Sequence, residues 1–281
     1  MKKICLINSY NYAEYLPECI GSAVNQTVAF DEIIVVDDGS IDDSRKVIDN
    51  FTQSSKVKIT SIYKENGGQL SALNAAFGFI NDGDQVFILD SDDFYPPDYI
   101  ELMLKSMGDC PWDVSFVAQV PFKSPEVLVT AAQNTLPNFS FENTSAIVRA
   151  RQIWVGNPSS CISLSGSLFN KIFPYPHIYD FITRADDVIV YASSVIGAHK
   201  TFIRSIGTGW RVHKTNNTQK IVDENLDERQ DRLNRLFLYY SSKYSLAFPA
   251  LREEYLAECF TLNLIQKQFL NSLLGPAHEP F

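Results

Sequence analysis

The chain has 281 residues, a formal net charge of −9 and a pI near 5.0, so it can bury one large core with a helical appendage, and nothing in it reads as disordered. The acidic balance argues against general nucleic-acid or anionic-membrane binding, which needs a basic face. Five scattered cysteines, Cys5, Cys19, Cys110, Cys161 and Cys259, form no CxxC pair, which indicates neither a zinc site nor a disulfide framework and suits a reducing cytoplasm.

Lys3 to Ile7 is a short buried-strand candidate that the polar turn Asn8 to Asn11 cuts too early for a signal-peptide core. Leu16, Ile20, Ala23 and Val24 then recur at helical spacing, with Pro17 near the start. A second strand, Glu32 to Val36, runs into Asp37-Asp38-Gly39-Ser40, where Ser40 and Asp43 suggest a capping box for a helix carrying Val47, Ile48 and Phe51. Asp37 reads as a cap for that helix. Val57 to Tyr63 alternates as a third strand, and Asn66-Gly67-Gly68-Gln69 offers two glycines for positive φ before a helix through Leu70, Leu73, Phe77 and Ile80. Strand-helix alternation with short connections calls for a mainly parallel sheet covered on both faces. No stretch approaches the roughly 18 apolar residues of a membrane span, so a soluble, cytoplasmic protein is expected.

The chain is organised around Gln85-Val86-Phe87-Ile88-Leu89-Asp90-Ser91-Asp92-Asp93. This apolar run delivers three carboxylates to the edge of a sheet, where open α/β sheets hold ligands. Carboxylates this crowded repel one another and call for a cation; hard, oxygen-seeking Mg²⁺ or Mn²⁺ fits best, with phosphate as its anionic client. The competing reading is a solvated acidic turn that caps the helix starting near Pro96-Pro97.

Ser9-Tyr10-Asn11, Val36 to Ser40, Asn66 to Gln69 and Leu89 to Asp93, in that order and each after a predicted strand, resemble the nucleotide-sugar half of glycosyltransferase family 2, the inverting enzymes of the GT-A (Rossmann-like) α/β fold. The resemblance implies that Asp38 contacts a base, whose N–H donors a carboxylate can select, with Asn8, Ser9, Tyr10 and Asn11 beside it. It brings Asn66, Gly67 and Gln69 against the nucleoside, and Asp92 and Asp93 against ribose and a metal that bridges the diphosphate. Asp90 and Ser91 belong to the same motif, Asp90 being the most structural of the three acids. A UDP-linked donor is favoured over GDP.

Beyond Asp93, Tyr99 to Met107 reads as a helix and Asp113 to Val120 as a strand, whereas residues 121–150 show no sustained period and suit acceptor-side loops. Gly156 to Ser160 and Ser163 to Phe169 are rich in small hydroxyls, which either satisfy local backbone or, by resemblance, wall the acceptor pocket. Arg184-Ala185-Asp186-Asp187 opens an apolar segment ending at Gly197; the family's spacing puts the catalytic base on Asp186, with Asp187 competing, and both also suit a helix N-terminus. Trp210-Arg211-Val212-His213-Lys214 resembles the aromatic-Arg-x-His segment of many members, implying that His213 meets metal or diphosphate and that Arg211 and Lys214 stabilise leaving-group charge.

From Asp223 the pattern turns helical, with one stripe of Leu226, Leu233, Phe237 and Tyr240 and another of Leu251, Tyr255, Leu262, Ile265 and Phe269. Packing on the catalytic domain is the preferred role; a homodimer contact or peripheral docking at the inner membrane face are the alternatives. The expected layout is a glycosyltransferase domain over 1–217, divided into a nucleotide-sugar half (1–120) and an acceptor half (121–217), then a helical extension over 218–281. The expected activity is metal-dependent, inverting transfer of a sugar to a glycan or lipid-linked acceptor in surface polysaccharide or glycoconjugate assembly. A nucleotidyltransferase is the first rival, although Asn8 to Asn11 is not its usual glycine-rich basic loop. A catalytically silent nucleotide-sugar-binding protein is the second.

Overall fold

The computed structural model describes residues 1–108, 112–122, 138–213, 226–246, 257–259 and 261. The first half alternates strictly: β1 (Lys3–Ser9), α1 (Leu16–Val24), β2 (Glu32–Asp37), α2 (Ser44–Ser54), β3 (Ile59–Tyr63), α3 (Gln69–Ala75), β4 (Gln85–Asp90) and α4 (Tyr99–Met107). Successive side chains of a strand point to opposite faces, and here each face has its own core. Ile4, Leu6, Ile34, Val36, Val86 and Ile88 enter one cluster, while Cys5, Ile7, Ile33, Val35, Phe87 and Leu89 enter the other with α1 and α4. This is why the strands read as unbroken apolar runs.

The second half adds β5 (Val114–Phe122), β6 (Phe139–Phe141), α5 (Ser145–Arg151), β7 (Ile162–Ser165), α6 (Gly166–Ile172), α7 (Ala185–Ile196), β8 (Lys200–Arg211) and α8 (Leu226–Lys243). All eight strands form one sheet in the order β3-β2-β1-β4-β7-β5-β8-β6. The expected parallel arrangement holds for β3-β2-β1-β4 and for β5 with β8. Short β7 runs against both β4 and β5, and β6 against β8, so the sheet is mixed. The carboxyl ends of β1, β2 and β4 share one edge, as their register pairs Ser9 with Asp37 and Asn8 with Asp90.

Local details depart from the expectations. Helix α3 stops at Ala75, because Gly78 turns the chain at φ +92°, and Phe77 is left exposed. The Ser40 hydroxyl accepts the Asn11 N–H at 2.9 Å instead of capping α2, whose first N–H, from Ser44, goes to Asp42 at 3.0 Å. Asp37 does not cap α2 either; it is fully buried and its carboxylate finds no hydrogen bond among the described residues.

Helix α7 is buried along almost its whole length and ends at Gly197 in the left-handed conformation (φ +81°), which favours glycine. Helix α8 sets Leu233, Leu236 and Tyr240, all fully buried, into the same core, and the Tyr240 hydroxyl donates to the Ile172 carbonyl at 2.7 Å. Farther on, Glu258 accepts the backbone N–H groups of Ala146 (3.2 Å) and Ile147 (2.7 Å), the opening turn of α5. Such an acceptor satisfies donors that a helix start leaves open. The apolar positions Leu251, Tyr255, Leu262, Ile265 and Phe269, the cation Lys214 and the loop 123–137 lie outside the described residues. No described helix is long and apolar enough to cross a membrane.

Candidate active site

A cavity of about 670 Å³ opens at the carboxyl edge of β1, β2 and β4 and extends to the start of α7. At one end, Asn8, Ser9, Tyr10, Asn11, Asp38 and Asn66 line it. The Asp38 carboxylate accepts Gly68 N–H at 2.7 Å, Gly67 N–H at 3.1 Å and the Asn66 amide at 3.2 Å, and pairs with Lys64. Its own N–H donates to the Ser9 carbonyl at 2.8 Å. The turn after β2 and the loop before α3 are therefore locked together. Of the two loop glycines only Gly68 has positive φ (+88°), and a Cβ there would sit 2.7 Å from the Ile182 carbonyl oxygen. Gly67 does not line the cavity; its N–H is turned to Asp38.

The three acids of the β4 edge have different surroundings. Asp90 Oδ1 accepts the side-chain amides of Asn8 (2.8 Å) and Gln69 (2.9 Å). Burial, then the Asp92 charge, push its pKa up to about 6, against those hydrogen bonds. Asp93 is turned inward: Oδ2 accepts the Ser160 hydroxyl at 2.6 Å and Oδ1 the Arg211 N–H at 3.0 Å, while burial and the two neighbouring carboxylates raise its pKa. Asp92 Oδ2 instead lies 3.0 Å from His213 Nε2, and the His213 ring packs on Tyr12 and Tyr15. Asp92 lines the cavity and His213 does not, but a carboxylate oxygen and an imidazole nitrogen this close suit one divalent ion. Among the described residues no group of three or more such ligands converges. A metal held by one or two protein ligands keeps positions for phosphate oxygens and water, the usual manner of Mg²⁺ at phosphates.

Arg211 departs from its expected role. Its Nε donates to the Asp92 carbonyl at 3.0 Å, its guanidinium pairs with Glu18 and it packs over Tyr15 and Phe122 at 4.9 and 4.7 Å. It does not line the cavity. Its position braces the acidic turn against α1 and does not project to a donor.

At the other end the cavity is walled by Gln119, Trp154, Pro158, Ser159, Thr183 and Trp210. Asp186 faces it from the first turn of α7, with Oδ1 accepting the next residue's N–H at 3.0 Å. Burial and the adjacent Asp187 carboxylate push Asp186 up to about 7, Arg184 opposing. Asp187 is 2% exposed and spends both oxygens on Arg184, at 3.0 Å each, with Arg229 3.8 Å away. It is not on the cavity wall, so a shared catalytic role for Asp187 does not fit its burial.

The serine-rich stretch divides. Ser159 and Ser160 serve the site, through Gln69 and through Asp90 and Asp93, whereas Ser163 bonds Ser115 at 2.7 Å inside the core. Gln119, Trp154 and Thr183 had no motif to announce them. A lone aromatic before the loop Gly156 to Ser160 was the sole available hint of Trp154.

The family model described as Glycosyl transferase family 2 matches residues 5–173. The chain belongs to glycosyl transferase family 2. An uncharacterized glycosyltransferase of Nostoc sp. is 31% identical over 222 residues, which cover 77% of this chain and 66% of that protein. The hyaluronan synthase of Pasteurella multocida is 44% identical over 100 residues, 35% of this chain and 10% of the synthase. The chain thus spans about two thirds of the first relative and a tenth of the second. Among solved structures, S. aureus TarS in complex with UDP aligns with a TM-score of 0.56 at 15% identity, covering 86% of this chain and 72% of that one. The mannosyltransferase PcManGT from Pyrobaculum calidifontis, in complex with GDP-Man and Mn²⁺, aligns with a TM-score of 0.54 at 15% identity, covering 94% and 80%. At such identities the likeness shows the glycosyltransferase fold, and this family 2 member has it.

Proposed function

We propose that the chain transfers a sugar from a nucleotide diphosphate donor, UDP-linked by preference, to an acceptor hydroxyl with inversion at the anomeric carbon. The observation that carries the reading is that one cavity is lined by Asp38 and Asn66, by Asp92, which His213 contacts from behind the wall at 3.0 Å, and by Asp186. The base sits against Asp38, the ribose near Asp90 and Asp92, and the acceptor between Trp154, Trp210 and Asp186.

Asp92 and His213 would hold Mn²⁺ or Mg²⁺, which when bound neutralises charge on the departing diphosphate. Asp93 and Arg211 support that pair without joining it. Asp186 takes the proton of the acceptor hydroxyl as that oxygen attacks the face opposite the leaving group. A raised pKa makes its carboxylate a stronger base than a solvated aspartate, and Asp187, paired with arginines, does not compete. Two aromatic rings and a glutamine suit a glycan acceptor, which offers C–H faces and hydroxyls together.

A panel of nucleotide sugars and glycan or lipid-linked acceptors, with released nucleotide identified, tests this. Release of nucleoside diphosphate with a new glycoside supports it. Release of pyrophosphate would indicate nucleotidyl transfer, and binding without any turnover a silent nucleotide-sugar-binding protein.

A further inference from the structure

The segment that carries Asp186 is gripped from two elements. From the donor loop, the Gln69 backbone N–H donates to the Ile182 carbonyl at 2.7 Å, and Gln69 Oε1 accepts the N–H of Ala185 at 3.1 Å. From α8, Arg235 makes a two-point pair with Asp180, Nε to Oδ2 at 2.9 Å and Nη2 to Oδ1 at 2.8 Å. Arg229, one and a half turns earlier on α8, lies 3.8 Å from Asp187 Oδ2 and donates to the Tyr191 hydroxyl at 3.3 Å. The two arginines therefore bind residues on either side of Asp186.

Their arrangement is poorly suited to stabilising the fold as such. The Arg235 side chain is 47% exposed, and an ion pair of that exposure is worth little, while Arg229 comes no nearer than 3.8 Å to the buried Asp187 carboxylate. The adhesion of α8 comes instead from Leu233, Leu236 and Tyr240, with Tyr240 stacked on Tyr175 at 5.7 Å. What a planar guanidinium adds is direction, because a two-point pair fixes orientation as well as distance. Helix α8 also lies beyond residues 5–173, the extent of the family match.

We propose that Arg229 and Arg235 are positioning residues for the transfer reaction, α8 acting as a clamp that sets where Asp186 stands relative to the acceptor. This rests on the reading of Asp186 as the base. A misplacement of about 1 Å in a reacting group can cost up to about 10²-fold in rate, so a clamp of little energetic weight can have large kinetic weight.

The test uses the full chain with Arg229→Gln, Arg235→Gln, the double variant and the Arg229→Lys and Arg235→Lys controls. Three quantities are read: UDP affinity with Mn²⁺ by calorimetry, kcat and donor KM with the best pair from the panel, and hydrogen exchange over residues 180–191. The clamp predicts unchanged UDP affinity and donor KM, kcat lower on the order of 10-fold for each Gln variant, and faster exchange over 180–187. Lysine should rescue at 229, where one charge faces Asp187, and fail at 235, where the pair is two-pronged. Unchanged exchange, unchanged kcat per folded molecule, or equal losses in UDP affinity and kcat would each overturn it. Should the wild type bind UDP and transfer nothing, the proposed function fails, and with it the kinetic role of the clamp; normal exchange in the Gln variants would then remove its structural half too.

Discussion

Arg184 closes both edges of the Asp187 carboxylate, Nε to Oδ2 and Nη2 to Oδ1, each at 3.0 Å. One position earlier, Asp186 faces the cavity. Neighbours on a helix point about 100° apart, and here the difference sets one carboxylate toward the cavity and the other among arginines. Asp186→Asn should keep UDP affinity while turnover falls about 10²-fold or more. Asp187→Asn should instead leave Arg184 without its partner and lower stability by about 1–3 kcal/mol, less than a fully buried pair because both arginines reach solvent. Urea unfolding and steady-state kinetics on the two variants distinguish the effects; a stable, inactive Asp187→Asn would reverse the assignment.

The raised pKa of Asp186 has opposite consequences for rate and for stability. A base acts as its carboxylate, so turnover should drop as pH falls through about 7, where Asp186 takes up its proton. For stability, the folded pKa of about 7 exceeds the ordinary 3.8, so the native state takes up the proton more readily than the unfolded chain. This group's contribution therefore strengthens as pH falls from above 7 toward 4. Asn at 186 cannot ionise, so Asp186→Asn should melt above wild type at about pH 8, with the gap closing by about pH 5. Thermal melts at the two pH values check the sign.

Removing metal should act through Asp92 and His213. Calorimetry should show UDP binding weaker with EDTA than with Mn²⁺, and His213→Ala or Asp92→Asn should each cost about 10-fold or more in UDP affinity. Asp93→Asn should lower the melting temperature and spare UDP affinity, since its oxygens serve Ser160 and Arg211. Equal UDP affinity with and without metal would remove the metal role.

The two loop glycines should differ in their tolerance. Gly68→Ala forces a side chain into φ +88° and against the Ile182 carbonyl oxygen at 2.7 Å, for a cost of about 1–3 kcal/mol. Gly67→Ala meets the Ser71 side chain, its hydroxyl at 2.6 Å and its Cβ at 2.9 Å, but φ there is not positive, so it carries the crowding without the backbone strain. Denaturant midpoints of the two variants should rank in that order.

Much of the first half was legible in the sequence because a doubly covered parallel strand leaves a plain signature: an apolar run that stops in polar residues. β1, β2 and β4 all carried it, and each ended at the cavity. What the sequence did not show is the partners of Asp93, which lines the cavity, and of Arg211, which does not, because type and spacing do not reveal which way a side chain turns. Asp93 is drawn inward by Ser160, and Arg211 by Glu18, partners 67 and 193 residues away. The same limit hid Trp154 and the capping of α5 by Glu258. Family spacing located α7 and periodicity α8, but both were silent on their ionic contact, since charged positions on a helix carry no sign of which neighbour they will meet.

Strand β8 lies between β5 and β6 and pairs with β5 from Val114 to Phe122, so it enters the middle of the second half from late in the chain. The residue just beyond it, Val212, still donates to Phe122, and the next is His213. During synthesis the strands up to β4, whose pairing joins Lys3 to Gln85, are all present long before this strand exists. Contacts of long sequence separation form slowly. The emerging chain would thus have the shared edge of β1, β2 and β4 before it had Asp186 or His213, the base and metal ligand of the proposed function. A fragment ending at residue 173, the limit of the family match, would keep β7 beside β5 and lack β8, its other neighbour. Nascent-chain pausing and fragment work on this fold should meet a binder first and a catalyst only after β8 has been threaded into place.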